Sequence, residues 1–290
     1  MFEKDLQSRY GKNSWALVTG CTDGIGWEFV QSLAKRNFNV ILVSRSPDKL
    51  NQRIIELKKT FCQSDDSSLE FIGIAADFSQ GSNTEFYNKI YQQIGNLDIS
   101  ILVNNVGLYK AASIAEMSLK EAIDLSVINI FPQTFLTKQV LPLFNQRHQA
   151  KGLRSAVISI CSMSSLMPFP GMSCSSASKA YGRYLSQSSA MKYKDKFDFL
   201  TVLPGFTSSE GSNYMKVGWN VSTTEELVDG TMRALGNLNT TYGSRKNVVL
   251  GYLLEIYIFF IGEERYQKSV ISRVRNLRKH IEGGDDKKTN

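Results

Sequence analysis

Six short, nearly continuous apolar runs, separated by segments with helical spacing, limit most strongly what this chain folds into. The runs cover residues 15–19, 40–43, 71–76, 99–103, 156–160 and 197–203. Such runs read as strands buried on both faces, which a parallel sheet covered by helices on either side supplies. Between and after them, residues 28–36, 48–61, 82–94, 177–193 and 225–235 carry the spacing of helices, and 119–144 that of one long helix or two. Residues 248–250 are expected as a seventh strand. In sheets of this kind, ligands bind beyond the carboxyl ends of the strands.

The end of the first run holds the clearest ligand signal. Thr19-Gly20-Cys21-Thr22-Asp23-Gly24-Ile25-Gly26 joins a strand to a helix with glycines spaced G-x-x-x-G-x-G. Gly20 allows a tight turn, Gly24 lets the backbone approach a pyrophosphate, and Gly26 lets helix and strand pack closely. The helix start then offers unpaired N–H groups and a partial positive charge to phosphate. Together with Thr22, Asp23 and Ile25 these residues form the expected cradle of a dinucleotide in a Rossmann-type fold. The second strand ends in Ser44-Arg45-Ser46, with no acid until Asp48. An acid there would favour NAD(H). Arg45 is instead suited to a 2′-phosphate and favours NADP(H), a solvated surface arginine being the alternative. Asp77, after the third strand, is a candidate for the adenine amino group or a plain helix cap.

Composition removes several other classes. The chain has 290 residues, with no internal repeat or linker. One domain over residues 1–250 is expected, followed by an apolar and basic extension over 251–290. His148 and His280 are the two histidines and the four cysteines are scattered, so no metal site and no Ser-His-Asp triad are expected. The net charge of +7 is concentrated in Arg265, Lys268, Arg273, Arg275, Arg278 and Lys279, with no acid between them. Without interleaved aromatic residues, this tail does not read as a nucleic-acid site. The first thirteen residues have no apolar core, so no secretory signal is expected.

Taken together, the 19–26 turn, Asn104-Asn105-Val106-Gly107, Asn129, Ser162, Ser175-Ser176-Ala177-Ser178-Lys179 and Pro204-Gly205 resemble the short-chain dehydrogenase/reductase family. The match spans about the first 240 residues. Local sequence is most similar to its membrane-associated branch of 17β-hydroxysteroid dehydrogenases and very-long-chain 3-ketoacyl-CoA reductases. The resemblance implies a doubly wound α/β sheet of about seven strands in the order 3-2-1-4-5-6-7. It implies NADP(H) as cofactor, with Asn104, Val106, Gly107, Lys179, Pro204 and Gly205 joining the cradle.

It also implies a catalytic set. In this family a tyrosine four residues before the lysine delivers a proton to the substrate carbonyl oxygen. The lysine lowers its pKa, a serine upstream polarises the carbonyl, and an asparagine on the central helix supports the proton relay. Lys179, Ser162 and Asn129 match, but the tyrosine position holds Ser175. A serine hydroxyl is a far weaker acid than a phenol, whose reference pKa is about 10. Tyr181 and Tyr184 do not share a helical face with Lys179. Tyr109 is the one relocated acid considered, and Ser175→Tyr is expected to restore reduction.

The chain is therefore expected to be a nucleotide-binding but catalytically impaired accessory or structural subunit. The alternative is an active NADPH-dependent reductase of 3-oxoacyl-CoA or 17-oxosteroid substrates. Residues 251–281, apolar then basic, are expected to meet a membrane surface or the subunits of a membrane complex. The alternative is a helix pair covering the sheet edge or filling a partner's groove. Lys287-Lys288 resembles a retrieval signal of the endoplasmic reticulum membrane, with a mitochondrial membrane complex as the other location considered.

Overall fold

The computed structural model describes residues 4–62, 69–209 and 212–268. The strands are β1 (Trp15–Thr19), β2 (Asn39–Ser44), β3 (Phe71–Ala75), β4 (Ile99–Asn104), β5 (Ser155–Ile160), β6 (Phe197–Val202), β7 (Phe206–Thr207), β8 (Val221–Ser222) and β9 (Thr240–Thr241). The helices are α1 (Leu6–Tyr10), α2 (Gly24–Ala34), α3 (Pro47–Phe61), α4 (Thr84–Ile94), α5 (Leu119–Lys151), α6 (Ser173–Tyr193), α7 (Thr224–Ala234) and α8 (Arg245–Ile261). Seven strands form one parallel sheet in the order β3-β2-β1-β4-β5-β6-β9. The direction of winding reverses between β1 and β4, which places a crevice at their carboxyl ends.

Side-chain alternation explains why both faces are covered. Ala16, Val18, Val40 and Leu42 enter a core with residues of α2 and α7. Trp15, Leu17, Ile41 and Val43 enter a second core with residues of α4 and α5. Every residue of β1, β2, β4 and β5 is buried. That double burial is what the near-continuous apolar runs encode.

Two expectations change. The seventh strand is β9 at Thr240–Thr241, paired with Thr201 and Val202. The apolar residues 248–250 lie inside α8 instead. The reason is a helix start just upstream: Gly243 takes a φ of +75°, and the Ser244 side chain accepts from Asn247 N at 3.2 Å. The long central segment is one helix, α5, which runs through Pro132 and Pro142 to a left-handed Gly152. Its start is a capping box between Ser118 and Glu121.

At the opposite end of the sheet, α1 clasps β6. Arg9 and Arg154 pair with Asp198, and the Tyr10 hydroxyl donates to the same carboxylate at 2.7 Å. The hydrogen bonds from Arg9 and Tyr10 hold the Asp198 carboxyl below the usual range, against the opposing effect of its burial.

Candidate active site

The glycine turn has the geometry that its spacing predicts. Gly20 and Gly24 take φ values of +63° and +55°, which side-chain-bearing residues rarely adopt. A Cβ on Gly26 would stand 2.2 Å from the Gly20 carbonyl oxygen, so only glycine lets α2 start this close to β1. Asp23 caps the helix by accepting from Gly24 N at 2.5 Å. The turn is braced from β4. Asn105 Nδ2 donates to the carbonyls of Thr19 and Gly20, both at 2.9 Å, and Thr19 Oγ1 accepts from the N–H groups of Asn105 and Val106. The cradle thus fits a diphosphate on its residues alone: its glycines leave a space that side chains would fill, and the orphan N–H groups of a helix start face it.

The rim beside the cradle carries the cationic groups. The Thr22 and Ser44 hydroxyls are 3.1 Å apart, and Arg45 is exposed just past β2 with no partner among the described residues. Arg53 reaches the same rim from α3. Its Nε donates to the Thr22 carbonyl at 3.0 Å, and its guanidinium lies 4.3 Å above the Trp27 ring. Asp77 accepts from Ser79 N at 3.0 Å, so in this structure it caps a short helical turn.

The second group of residues lies between β4, α5 and α6. Lys179 Nζ donates to the Ile160 carbonyl at 3.0 Å. Desolvation of the ammonium holds its pKa below the ordinary lysine value. Gly107 is wedged beside it: a Cβ there would be 3.1 Å from Lys179 Nζ and 3.2 Å from Asn129 Oδ1. Asn129 is fully buried. It accepts from Leu108 N at 2.7 Å and donates to Leu108 O at 3.0 Å and Ser178 Oγ at 2.8 Å. Ser162 Oγ accepts from the backbone and hydroxyl of Ser164 at 3.1 and 3.0 Å.

Ser175 is buried, and its hydroxyl is committed twice to one residue. It donates to the Lys110 carbonyl and accepts from the Lys110 N–H, each at 3.0 Å. The Lys110 ammonium in turn pairs with Glu121 at 3.0 Å. The loop that follows Gly107 is thereby fastened at Leu108 by Asn129, at the Lys110 backbone by Ser175, and at the Lys110 side chain by Glu121. The candidate phenols turn elsewhere. Tyr109 Oη donates to Met172 Sδ at 3.5 Å, and burial pushes its pKa up to about 12. Tyr181 Oη is 2.7 Å from Thr134 Oγ1, and Tyr184 is exposed beside Arg183. Among the described residues, no tyrosine hydrogen-bonds Lys179.

The profile of the short chain dehydrogenase family matches residues 14–216. The chain belongs to that family. It is 34% identical over 249 residues to the very-long-chain 3-oxoacyl-CoA reductase of Macaca fascicularis, covering 84% of this chain and 75% of that protein. The human protein of the same name is 32% identical over 275 residues, covering 93% and 82%. Hydroxysteroid dehydrogenase-like protein 1 of Gallus gallus is 35% identical over 206 residues, covering 70% and 58%. Among solved structures, a 7beta-hydroxysteroid dehydrogenase superposes with a TM-score of 0.72 at 21% identity, covering 96% of this chain and 99% of that one. A short-chain dehydrogenase from Sphingobium yanoikuyae in complex with NADPH has a TM-score of 0.64 at 24% identity, covering 76% and 84%.

In this member of the short chain dehydrogenase family, the cradle residues converge at the carboxyl ends of β1, β2 and β4, and Lys179, Asn129 and Gly107 form a second cluster. Asn104 departs from expectation. Its side chain is buried and donates to Thr137 Oγ1 at 3.0 Å, tying β4 to α5 and not facing the cradle. The neighbour, Asn105, does the bracing. Strand alternation was the available signal, since adjacent residues at a strand end face opposite ways. Arg53 and Asn247 were also missed. Gly205 sits where Asn247 Oδ1 approaches: a Cβ on Gly205 would be 2.8 Å from it. Pro204 is held by its carbonyl, which accepts from Met163 N at 3.0 Å.

Proposed function

We propose that this chain binds NADP(H) in the glycine cradle and serves as a catalytically impaired accessory or structural subunit at a membrane. Arg45 is the group proposed to pair with the 2′-phosphate. Two proteins of similar fold have been solved in complex with NADPH, the Sphingobium yanoikuyae short-chain dehydrogenase and the L-sorbose reductase of Gluconobacter frateurii. The fit of the cradle on this chain's own residues supports the same ligand.

The observation that carries the impaired reading is the double hydrogen bond between Ser175 and the Lys110 backbone. A bound nicotinamide supplies hydride to a carbonyl carbon, and the protein must then supply a proton at the carbonyl oxygen. General acid catalysis of that kind contributes about 10²–10⁴-fold. Ser175 is a poor acid by chemistry, and its one proton is already donated to the Lys110 carbonyl. Lys179 holds its ammonium against Ile160, with no phenol to acidify. Ser162 retains a hydroxyl able to polarise a carbonyl, and Asn129 is spent on Leu108 and Ser178.

The second reading is an active NADPH-dependent reductase of 3-oxoacyl-CoA or 17-oxosteroid substrates. The names of the mammalian relatives and the presence of Ser162, Lys179 and Asn129 favour it. The proposed location is the endoplasmic reticulum membrane, with a mitochondrial membrane complex as the alternative. The Lys287-Lys288 signal lies outside the described residues. No helix among the described residues is long and apolar enough to cross a membrane.

The deciding experiment pairs two measurements on the purified chain. NADPH binding, followed by fluorescence, is expected. Oxidation of NADPH with a 3-oxoacyl-CoA is expected to stay at least about a hundredfold below that of an active relative, the loss of a general acid. Turnover within tenfold of such a relative overturns the impaired reading.

A further inference from the structure

Helix α8 is built inside out. Its buried residues are Asn247 and Gly251, an amide and a glycine one turn apart. Gly251 is where the helix rests on the body: a Cβ there would meet the Tyr242 ring at 2.4 Å. One turn further on, the Glu255 carboxylate accepts from the Tyr242 hydroxyl at 2.5 Å. The seated side thus carries Asn247, Gly251 and Glu255, with Val248 its one apolar contribution to the cluster of Cys161, Leu203 and Tyr242. The other sides carry Val249, Tyr252, Leu253, Ile256, Phe259 and Phe260, between 53% and 82% exposed. A helix on the surface of a water-soluble fold has the reverse arrangement, with its apolar stripe toward the core. A continuous apolar surface of this kind marks an interaction site.

We propose that α8 lies in the interface of an anionic lipid bilayer, along the membrane plane, with Phe259 and Phe260 among the acyl chains. This rests on the membrane-associated reading above and names the partner. Three observations choose lipid over a protein groove or a second copy. The sequence after α8 holds Arg265, Lys268, Arg273, Arg275, Arg278 and Lys279 without an acid between them. An anionic headgroup layer attracts that stretch, whereas a second copy would bring an equal positive charge against it. The helix has 17 residues, about 25 Å at 1.5 Å per residue, and contacts the body through Asn247, Val248, Gly251, Tyr252 and Glu255. Its first turns are therefore seated on the domain, and its last turn presents Ile256, Phe259 and Phe260 outward. Its cap is tied to β8, with the Ser244 and Ser222 hydroxyls 2.5 Å apart. The turn before β8 presents Trp219 at 77% exposure, an aromatic side chain suited to the headgroup level.

The test is flotation of the full-length chain with phosphatidylcholine vesicles, with and without phosphatidylserine. Association with the phosphatidylserine vesicles, weakened by salt, is expected. The Phe259→Ser, Phe260→Ser double variant should lose at least about tenfold in vesicle affinity. Its thermal midpoint without vesicles should match the parent, because these side chains touch water in solution. A parent that floats with neither vesicle, or a double variant that floats like the parent, overturns the proposal. So does a lowered midpoint of the variant without vesicles, which would place protein over α8. The NADPH dissociation constant on the same preparations is independent. Nucleotide binding lost with flotation intact counts against the cradle and leaves α8 as proposed.

Discussion

The glycine cradle at the end of β1 and the Ser175 corner between β4, α5 and α6 treat their polar groups in opposite ways. At the cradle, the bracing bonds run behind the turn, from Asn105 and Thr19, and the outward side keeps a helix start capped only at Gly24 N by Asp23 and, among the described residues, an unpaired Arg45. At the corner, the polar groups are paired within the protein: Ser175 with Lys110, Asn129 with Leu108, Lys179 with Ile160. A buried polar group left unmade is expensive, typically about 1–3 kcal/mol. Pairing these groups within the protein contributes stability at the corner. On the proposed reading, the contrast is that of a fold that keeps binding and has lost proton delivery.

The cradle half of this comparison is the easier to break. Gly26→Val places a branched side chain against the Gly20 carbonyl, where even a Cβ would stand at 2.2 Å. Overpacking against backbone costs about 1–3 kcal/mol or more, and α2 has to move off the turn. NADPH affinity, read by fluorescence or calorimetry, should fall by about a hundredfold or more. An unchanged dissociation constant would mean that the nucleotide lies elsewhere. Arg45→Ala is next in size. Loss of a charge-assisted bond to phosphate is worth about 1.5–3 kcal/mol, so NADPH should weaken by roughly 10–100-fold while NADH holds. Equal losses for both nucleotides would remove Arg45 from the 2′-phosphate.

The corner half turns on Ser175. If its hydroxyl is a structural tie, Ser175→Ala should lower stability by about 1–3 kcal/mol, with NADPH affinity unchanged. A vestigial serine would leave the thermal midpoint where it was. The structure also alters the expectation for Ser175→Tyr. The Lys110 backbone both accepts from and donates to the hydroxyl at 3.0 Å, so a ring on that path displaces the loop. The single substitution is now expected to destabilise the fold and leave turnover at background. Reduction by Ser175→Tyr at a rate near an active relative would show that the corner is merely missing its acid.

Much of this was legible beforehand, and the reasons differ by feature. The sheet order and the cradle follow from local rules, since strands buried on both faces and a glycine trio between strand and helix are patterns over a few adjacent residues. Val248–Leu250 misled because an apolar run of that length carries no period, and the Ser244 cap that decides for α8 is one residue among many serines. Asn104 closes β4 and Asn105 follows it, and the two differ only in the side to which each turns. The Ser175–Lys110 pairing lay beyond reading altogether, for it joins residues 65 positions apart through a backbone group. Sequence shows what Ser175 is not; the fold shows where its proton goes.

The smallest effect sharpens the corner from its outer edge. Glu121 accepts from the Ser118 N–H at 2.9 Å and pairs with Lys110, and these contacts, the backbone bond first, bring its carboxyl down to about 2. A carboxyl depressed in the folded state lends stability that is full above its unfolded pKa of about 4.3. That stability fades as pH falls toward the folded value. Glu121→Gln should therefore lower the thermal midpoint slightly and evenly from about pH 5 to 7, and the gap to the parent should close as pH falls toward about 2. The pair is exposed and screened by salt, so added salt should narrow the same gap. If Ser175→Ala and Glu121→Gln hold the same loop, their combined loss should differ from the sum of the two, as coupled contacts do. Strict additivity would mean that Ser175 and Glu121 each fix Lys110 without sharing a loop state, and the corner would then be two local ties and not one closed segment.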